Sequence, residues 1–588
     1  MQFDLIAVIR VELKPNRMSA QTSPKGHPKG LYILFTTEMW ERFNYYGMRA
    51  ILVLFMTDAL LFSKPFASNL YGSYISMLYL SSLLGGFIAD RYWGNRRSII
   101  SGGIVMAIGE LVLFCCGSVY NSSPHLAALL FYSGLGMMIA GNGFFKPNIS
   151  SLVGQLYPAN DHRKDAAYTI FYMGINTGGA LGPFICGLVG NTNNPADFKW
   201  AFLVAGIGML LSVVIQKLFH HKYVVDPENN VLGLVPKNCP PRWLSPSLTI
   251  VGLSILSVIV IALFYIDAKI FSYLFYLMIA CILLIGFIIF SDKSLTKVEK
   301  NKVIVIFVVC FFVIFFWGAF EQAGASLTFF ANEQTDRHIG LKIPVWIIVV
   351  LSLLFLYYCF RLFRKASQNL ASAFDKELRL TVYFLLFILS AAVLAANIYL
   401  LSTGQSFVEK DEIPASWFSS LNSVFIIIFA PFFAWFWLKL GKREPSSPTK
   451  MALGLLLLGS GYLWIAFGVK DVAPSVKVSM IWLTGMYALH TFGELCLSPI
   501  GLSLVNKLSP LKFASMLMAV WFTANAFGNK LAGILSALYP DKGKTTSFLG
   551  YHMNNLYEFF LLFVMMLGIS SILLFLLTKK LQKMMATA

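Results

Sequence analysis

The chain has 588 residues, of which 57% are apolar and only 13% are charged. Soluble domains are usually about 45–50% apolar and about 25% charged, so the composition excludes a water-soluble globule, and its apolar content excludes a disordered chain. The formal net charge of +18 fits the positive-inside bias of membrane loops better than a nucleic-acid partner, which leaves an integral membrane protein.

Apolar stretches long enough to cross a bilayer recur along the whole chain. A spanning helix needs about 20 mostly apolar residues, and on that criterion we expect about sixteen spans. They lie at 31–57, 66–89, 97–118, 125–152, 166–189, 199–219, 247–266, 270–290, 302–330, 343–362, 379–402, 415–438, 450–469, 478–503, 513–537 and 556–578. A cytoplasmic segment, 1–30, precedes them, and a cytoplasmic tail, 579–588, follows.

The basic residues orient these spans. With the N-terminus in the cytoplasm, most of the 46 Lys and Arg residues fall in the inner loops, as the positive-inside rule requires. We therefore predict a multi-pass protein of the plasma membrane, in a bacterium the inner membrane, with both termini in the cytoplasm.

Two pairs of spans lack ionisable residues in their interiors. These pairs are 247–290 and 343–402, whereas spans such as 31–57 and 302–330 carry buried charge. We predict twelve core helices with two inserted helical hairpins. The alternative, sixteen functional helices, leaves unexplained why polar residues avoid those four.

The first span concentrates polar side chains on one face: two carboxylates, two guanidinium groups and two phenols. At about 100° per residue, six of them share one sector of the helix. A charge in the hydrocarbon costs at least ~2.5–3.5 kcal/mol, so such residues are functional candidates. The alternative is a self-neutralising pair that locks helices together. The six are Glu38, Glu41, Arg42, Tyr45, Tyr46 and Arg49.

Single charges in three further spans are functional candidates. Lys146 precedes Pro147 in a glycine-rich stretch, and Glu321 and Glu494 each lie near glycine in long apolar runs. A lysine beside a proline kink is able to exchange carboxylate partners, although snorkelling at a helix end is the alternative. Two asparagines, Asn176 and Asn422, are candidates whose alternative role is a helix–helix hydrogen bond. We expect Lys530 to snorkel at the outer rim and His490 to be a packed core residue.

The loop between the second and third spans combines an acid with a basic turn. Such a loop is able to clasp neighbouring helices and release them when they rock apart, although an ordinary positive-inside loop has the same composition. Its candidate residues are Gly86, Asp90, Arg91, Gly94, Arg96 and Arg97.

Motifs of enzymes and metal sites are missing from the sequence. No CxxC, HExxH or GxSxG occurs, and the P-loop-like Gly543-Lys544-Thr545 has Leu538 where glycine is required. We therefore expect no metal, no cofactor, no ATP-driven pump and no enzyme.

Six motifs in order resemble those of the proton-dependent oligopeptide transporter (POT/PTR) family of the major facilitator superfamily. They are ExxER with FxYYG at 38–47, GxGxxKPN at 141–148, FYMGINTG at 171–178, FEQAG at 320–324, FGELCLSPIG at 492–501, and the loop 86–97, which resembles the superfamily signature with one extra residue before Gly94. The resemblance covers most of the chain.

The resemblance implies an all-α fold of two six-helix bundles. The first bundle is 31–220, followed by a loop and inserted hairpin, 221–301. The second bundle comprises 302–333 and 415–578. The pair 247–290 is similar to the two extra helices of bacterial members. The pair 343–402 departs from the family pattern, and its role stays open.

The resemblance also implies the function. It implies a proton-coupled symporter that imports di- and tripeptides by alternating access, and we expect it to work as a monomer in the bilayer. The alternatives are a proton-coupled transporter of another small solute and a peptide-binding receptor. Competition by di- and tripeptides separates the first alternative from peptide transport.

Matching positions carry the family's roles onto this chain. Glu38, Glu41 and Arg42 would form the proton-linked switch with Lys146 and Glu321, and Arg49 would pair with Glu321 to close an outer gate. Glu494 would hold the peptide's amino terminus, and Arg49, Lys146 and Asn176 its carboxylate. The remaining predicted lining residues are Tyr45, Tyr46, Tyr79, Trp317, Asn422, Ser498 and Trp521.

Overall fold

The computed structural model describes most of the chain. It covers residues 26–236 except 159, 160, 162 and 193, then 270–368, a few positions between 391 and 402, and 407–586 except 541–543. The expected span 247–266 and most of 379–402 lie outside the described residues.

The described chain is almost entirely helical. Ten of its helices are long and apolar enough to cross a membrane, which makes it a polytopic all-α membrane protein. The helices are α1 Lys29–Leu54, α2 Lys64–Ile88, α3 Asn95–Val119, α4 Pro124–Gln155, α5 Arg163–Gly190, α6 Phe198–Tyr223, α7 Ile270–Ser291, α8 Lys297–Phe320, α9 Ser326–Glu333, α10 Val345–Gln368, α11 Phe418–Leu440, α12 Ser447–Val469, α13 Met480–Leu508, α14 Ala514–Ser536 and α15 Leu556–Ala586.

One expected span is broken. The sequence predicts a single helix over 302–330, but α8 ends at Phe320 and a 3-10 turn, Glu321–Gly324, separates it from α9. The break lies where Gly324 meets the side chains of Tyr71 and Arg49 from the first bundle. The turn therefore places Glu321 at the seam between the bundles.

Each half of the chain forms its own helical bundle. In the first, α1 packs on α5 and α6, and α3 packs on α4 and α6; in the second, α12 packs on α13 and α15, and α8 on α14 and α15. Small residues permit this packing, as where a Cβ on Gly102 would lie 2.5 Å from the Gly141 carbonyl oxygen. Close backbone approach of this kind is how helices associate without a hydrophobic driving force.

The bundles touch each other mainly near one end. There α2 crosses α14 so closely that a Cβ on Gly72 would lie 2.6 Å from the Gly533 Cα. The Ser68 and Ser536 hydroxyls are 3.1 Å apart, and Ser420 of α11 donates to the Ala180 carbonyl of α5 at 2.8 Å. We call this end, where α1, α5 and α14 finish, the closed end.

The opposite end is less tightly joined. The helix pairs in extensive contact include neither α4 with α13 nor α5 with α14, although these helices face the seam from the two bundles. In the described part of the chain, the extensive contacts between the bundles therefore lie mainly toward the closed end.

The strands all lie at or near the closed end. In the order β1 Thr335–Asp336, β2 His338–Pro344, β3 Phe407–Glu412 and β4 Val478–Ser479, β2 pairs antiparallel with β3 and β1 pairs parallel with β4. A further hairpin joins β5 Thr546–Phe548 to β6 Tyr551–Met553. The Arg337 guanidinium anchors the β2–β3 ribbon through Glu412 at 2.8 Å and the Ile413 carbonyl at 2.6 Å.

The second insertion starts from this ribbon. After β2, α10 exposes large apolar side chains such as Trp346, Leu354 and Tyr357. A helix that is apolar on its exposed surface fits contact with lipid. The ribbon therefore fixes where the insertion leaves the second bundle.

The first insertion packs across the seam. On α7, Met278 and Phe275 pack with Phe527 of α14, and Leu80 of α2 packs on the same cluster. At the far end of α7, hydrogen bonds from Lys512 and from Ser294 hold the pKa of the Asp292 carboxyl well below its usual range. The helix α7 is thus attached to both bundles.

Candidate functional site

The polar face of α1 is buried, and its charges pair within the helix. The Arg42 Nε lies 3.2 Å from Glu38 Oε1 and 2.5 Å from Glu41 Oε2, and Nη2 donates to Glu41 Oε1 at 2.7 Å. Asn142 of α4 donates to the same Glu41 oxygen at 3.1 Å. One guanidinium thus serves two carboxylates that are each at most 2% exposed.

A lysine from α4 lies on the same side of the first bundle. The Lys146 Nζ sits 4.6 Å from the centroid of the Tyr79 ring, in the stretch of α4 that contains Pro147. A cation over an aromatic face is stabilised by the ring quadrupole. Lys146 therefore faces the seam beside Arg42 and not the helix end.

An ion pair crosses between the bundles. The Arg49 Nη2 of α1 pairs with Glu321 of the 3-10 turn, and Arg49 Nε donates to the Tyr71 hydroxyl at 2.5 Å. The two side chains are 11% and 5% exposed, so the pair is shielded from water. Such a pair is costly to break unless another partner replaces the lost one.

The seam contains a cavity of about 90 Å³. The first bundle contributes basic groups to it and the second bundle contributes the acids Glu321 and Glu494, so its two sides carry opposite charge. Asn422 orients Glu494 by donating to its Oε2 at 2.9 Å. Its lining residues are Arg42, Tyr45, Tyr46, Arg49, Ala50, Tyr79, Lys146, Trp317, Phe320, Glu321, Ala323, Gly324, Ser419, Asn422, Tyr487, His490 and Glu494.

Some candidates lie outside this lining. Glu38 and Glu41 lie behind Arg42, in contact with it. The Asn176 amide donates to the Tyr172 carbonyl of its own helix, and Trp521 packs on Gly501 and is only 4% exposed. Ser498 has a buried hydroxyl without a hydrogen-bond partner in the described part of the chain.

The expectation for Lys530 is wrong. Its side chain is 6% exposed and its Nζ donates to the Ser73 hydroxyl of α2 at 2.7 Å. The reason is the glycine contact between α2 and α14, which brings α2 over the lysine. The position of Lys530 near the end of its helix does not reveal that contact with α2.

His490 is both a packed residue and a lining residue. It is 2% exposed and lies 4.8 Å from the Tyr462 ring, centroid to centroid, as expected of a core histidine. It also reaches the cavity, one helical turn before Glu494. In the sequence, the position of His490 one helical turn before Glu494 indicates this second role, but many buried residues share that spacing with a charged residue.

The loop 86–97, which we call the signature loop, contacts the segment after α6 through its backbone. Gly94 has a positive φ of 73°, and the next residue but one, Arg96, donates its N–H to the Gly233 carbonyl at 2.9 Å. Asp90 is exposed and forms no ion pair within the described chain, while Arg91 lies 5.2 Å from the Phe87 ring. The predicted clasp through Asp90 is therefore open here.

Clusters suited to a metal ion do not occur in the part of the chain that the structure describes. The site brings charge pairs, phenols and amides together around a small cavity.

Comparison with known proteins identifies relatives along most of the chain. The family model described as the POT family matches residues 96–411 and 402–550. The peptide transporter YePEPT of Yersinia enterocolitica is 30% identical over 87% of this chain and 88% of its own length. A di-/tripeptide transporter of Lactococcus lactis is 29% identical over 87% of this chain and 90% of its own length.

A solved structure has the same fold. It is a POT family transporter in complex with a thioalcohol-conjugated peptide, 27% identical, with a TM-score of 0.71 over 95% of this chain and 98% of the other. The family and the major facilitator architecture expected from the motifs are confirmed by these matches.

Proposed function

Because this chain belongs to the POT family, we propose that it imports di- and tripeptides together with protons. The observation that carries the proposal is the cavity at the seam, where basic groups of one bundle face acids of the other. The relatives named as peptide and di-/tripeptide transporters support the same substrate class.

The charges on the two sides match the two ends of a peptide. A free peptide has a cationic amino terminus and an anionic carboxylate. Glu494, oriented by Asn422, binds the amino terminus, and Arg49 and Lys146 bind the carboxylate. Because every short peptide carries these two charges, the bundles close on the substrate with little dependence on its side chains.

Proton coupling follows from the shared guanidinium. When Glu38 takes a proton, Arg42 keeps only Glu41 as its anionic partner, and the charge around Lys146 changes with it. When Glu321 takes a proton, Arg49 loses its partner across the seam and becomes available to the peptide carboxylate. Each charge that moves inward gains about 2.3 kcal/mol per 100 mV of membrane potential.

The closed end is the extracellular end in this proposal. The basic loops then lie in the cytoplasm with both termini, and the fastened seam is an inward-facing state. The membrane is the plasma membrane, in a bacterium the inner one, and the monomer contains the complete cavity. Protons are the only coupling species, and no cofactor or enzymatic step is involved.

The test is uptake of a labelled dipeptide into liposomes with an inward proton gradient and an inside-negative potential. We expect accumulation above equilibrium, which Glu38→Gln abolishes while counterflow exchange remains. The matched control is Glu228→Gln, which removes an exposed carboxylate in the loop after α6. Dipeptide binding without accumulation supports a receptor instead, and neither signal means that the cargo is another solute.

A further inference from the structure

A fifth buried carboxyl group lies outside the cavity. Glu110 of α3 is 0% exposed, and its Oε1 accepts a hydrogen bond of 2.9 Å from the Asn44 amide of α1. Its Oε2 and the Asn44 Oδ1 are both buried and have no partner in the described part of the chain. Two acceptor oxygens thus remain unsatisfied in one contact between a carboxyl and an amide.

We infer that Glu110 is a neutral carboxylic acid that pairs with Asn44 through two hydrogen bonds. When an amide N–H donates to one carboxyl oxygen, the other carboxyl oxygen and the amide oxygen are the atoms that close the ring. An ionised carboxylate has no proton to place between them, whereas a carboxylic acid donates its O–H to the amide oxygen. One proton therefore satisfies both oxygens, in keeping with the rule that buried polar groups are hydrogen-bonded.

The surroundings favour the neutral acid. The titratable groups close enough to interact with Glu110 include Tyr74 of α2 and Cys186 of α5, and neither carries positive charge. Arg42, on the neighbouring helix α1, is already bound to Glu38 and Glu41. A buried carboxylate without a cation is unfavourable in a medium of low dielectric, so the group keeps its proton.

The pair fixes the rotation of α1. The Asn44 amide also donates to the Ala205 carbonyl of α6 at 3.1 Å, so one side chain joins three helices. A Cβ on Gly206 would lie 3.0 Å from the Glu110 Cβ, which shows how closely α6 confines the acid. Because Asn44 follows Arg42 by two residues, this contact sets the direction in which Arg42 points. Glu110 is therefore a positioning residue that adds no charge to compete for that guanidinium.

The protonation state is measured by infrared difference spectroscopy on the full chain in liposomes at pH 8, without peptide. We expect Glu110→Gln to remove one carboxylic-acid C=O band from the wild-type spectrum. Asn44→Val retains that band but shifts it, because the acid loses its amide partner. Loss of carboxylate bands alone in Glu110→Gln overturns the inference. Because no substrate is present, this result is independent of whether the protein transports peptides.

Transport separates positioning from proton exchange. In Glu110→Gln, the glutamine amide forms the same two hydrogen bonds with Asn44, so we expect proton-driven uptake to stay within about two-fold of wild type. Glu110→Leu loses both hydrogen bonds, and we expect it to reduce uptake at least about tenfold. If Glu110→Gln loses accumulation but keeps counterflow, Glu110 exchanges its proton during the cycle and the inference is wrong. Where Glu110→Leu fails to fold, the infrared band and the Gln variant still decide.

Discussion

At the scale of single residues, the arrangement around Arg42 depends on the shape of the guanidinium. Its Nε and Nη2 contact Glu41 while Nε also contacts Glu38, a fork that an ammonium group cannot reproduce. We expect Arg42→Lys to lower proton-driven dipeptide uptake at least about tenfold, or about 1.4 kcal/mol, although the charge is retained. Initial uptake rates in liposomes measure this, with Arg443→Lys, at an exposed position after α11, as control. Full activity in Arg42→Lys would mean that charge alone suffices.

Replacing Glu494, the cavity acid of α13, is expected to change the KM for a dipeptide. Glu494 faces the cavity and its Oε2 accepts the Asn422 amide. If it binds the peptide's amino terminus, Glu494→Gln raises KM for a dipeptide about tenfold, since a charge-assisted hydrogen bond becomes a neutral one.

The control is a dipeptide with an acetylated amino terminus. This substrate lacks the cation, so wild type and Glu494→Gln should transport it equally poorly. A variant that discriminates between the two dipeptides as strongly as the wild type would exclude Glu494 from this role.

Sequence reasoning at this scale succeeds where a charge itself is the signal. Glu38, Arg42, Arg49, Lys146, Glu321 and Glu494 stand out because charges are costly in a membrane, and the structure gathers them around one seam. An uncharged residue such as Tyr71 gave no such signal. Tyr71 reaches Arg49 only through the crossing of α1 and α2, which depends on packing that one sequence does not display.

At the scale of helices, glycine contacts decide how the bundles meet. A side chain on Gly533 would enter the space of the Ser68 carbonyl, 2.7 Å away, and of the Gly72 Cα, 2.8 Å away. We expect Gly533→Leu to force α2 from α14 and to destabilise the closed end by roughly 1–3 kcal/mol. The population shifts toward a state open at that end, and uptake falls.

Labelling of Ser68→Cys by a membrane-impermeant maleimide measures the shift, with faster labelling expected in the Gly533→Leu background. Gly568→Ala is the matched control, because a Cβ there meets nothing within 4 Å. Equal labelling rates in all backgrounds would show that the glycine contact does not hold the closed end.

The limits of the helices were more predictable than their irregularities. Apolar runs locate α3, α6 and α12 within a few residues of their observed ends, since hydrophobic length is a strong signal. The 3-10 turn at Glu321–Gly324 was not predictable, because it arises where Tyr71 and Arg49 of the other bundle meet Gly324. The site owes its crossing ion pair to that tertiary contact.

At the scale of the whole molecule, alternating access requires the closed end to open in every cycle. The Ser68 and Ser536 hydroxyls lie 3.1 Å apart on α2 and α14, so cysteine sulfurs at these positions need only a small movement to form an S–S bond of about 2 Å. Oxidation of a Ser68→Cys/Ser536→Cys variant should therefore abolish uptake, and a reducing agent should restore it. Each single variant, which retains the eight native cysteines, is the control. Undiminished uptake by the cross-linked protein would contradict alternating access through this end.

The contact of Gly72 with Gly533 also determines the character of the motion. Backbone resting on backbone is held by dispersion, which loses a quarter to a half of its strength over a gap of roughly 0.5–1 Å. A seam separated by that gap has therefore already lost a quarter to a half of the attraction, while water has not yet entered to solvate the freed groups. Intermediate openings are the least stable arrangements. Single-molecule recordings of this end should therefore show two discrete dwell levels joined by abrupt steps, and no gradual opening.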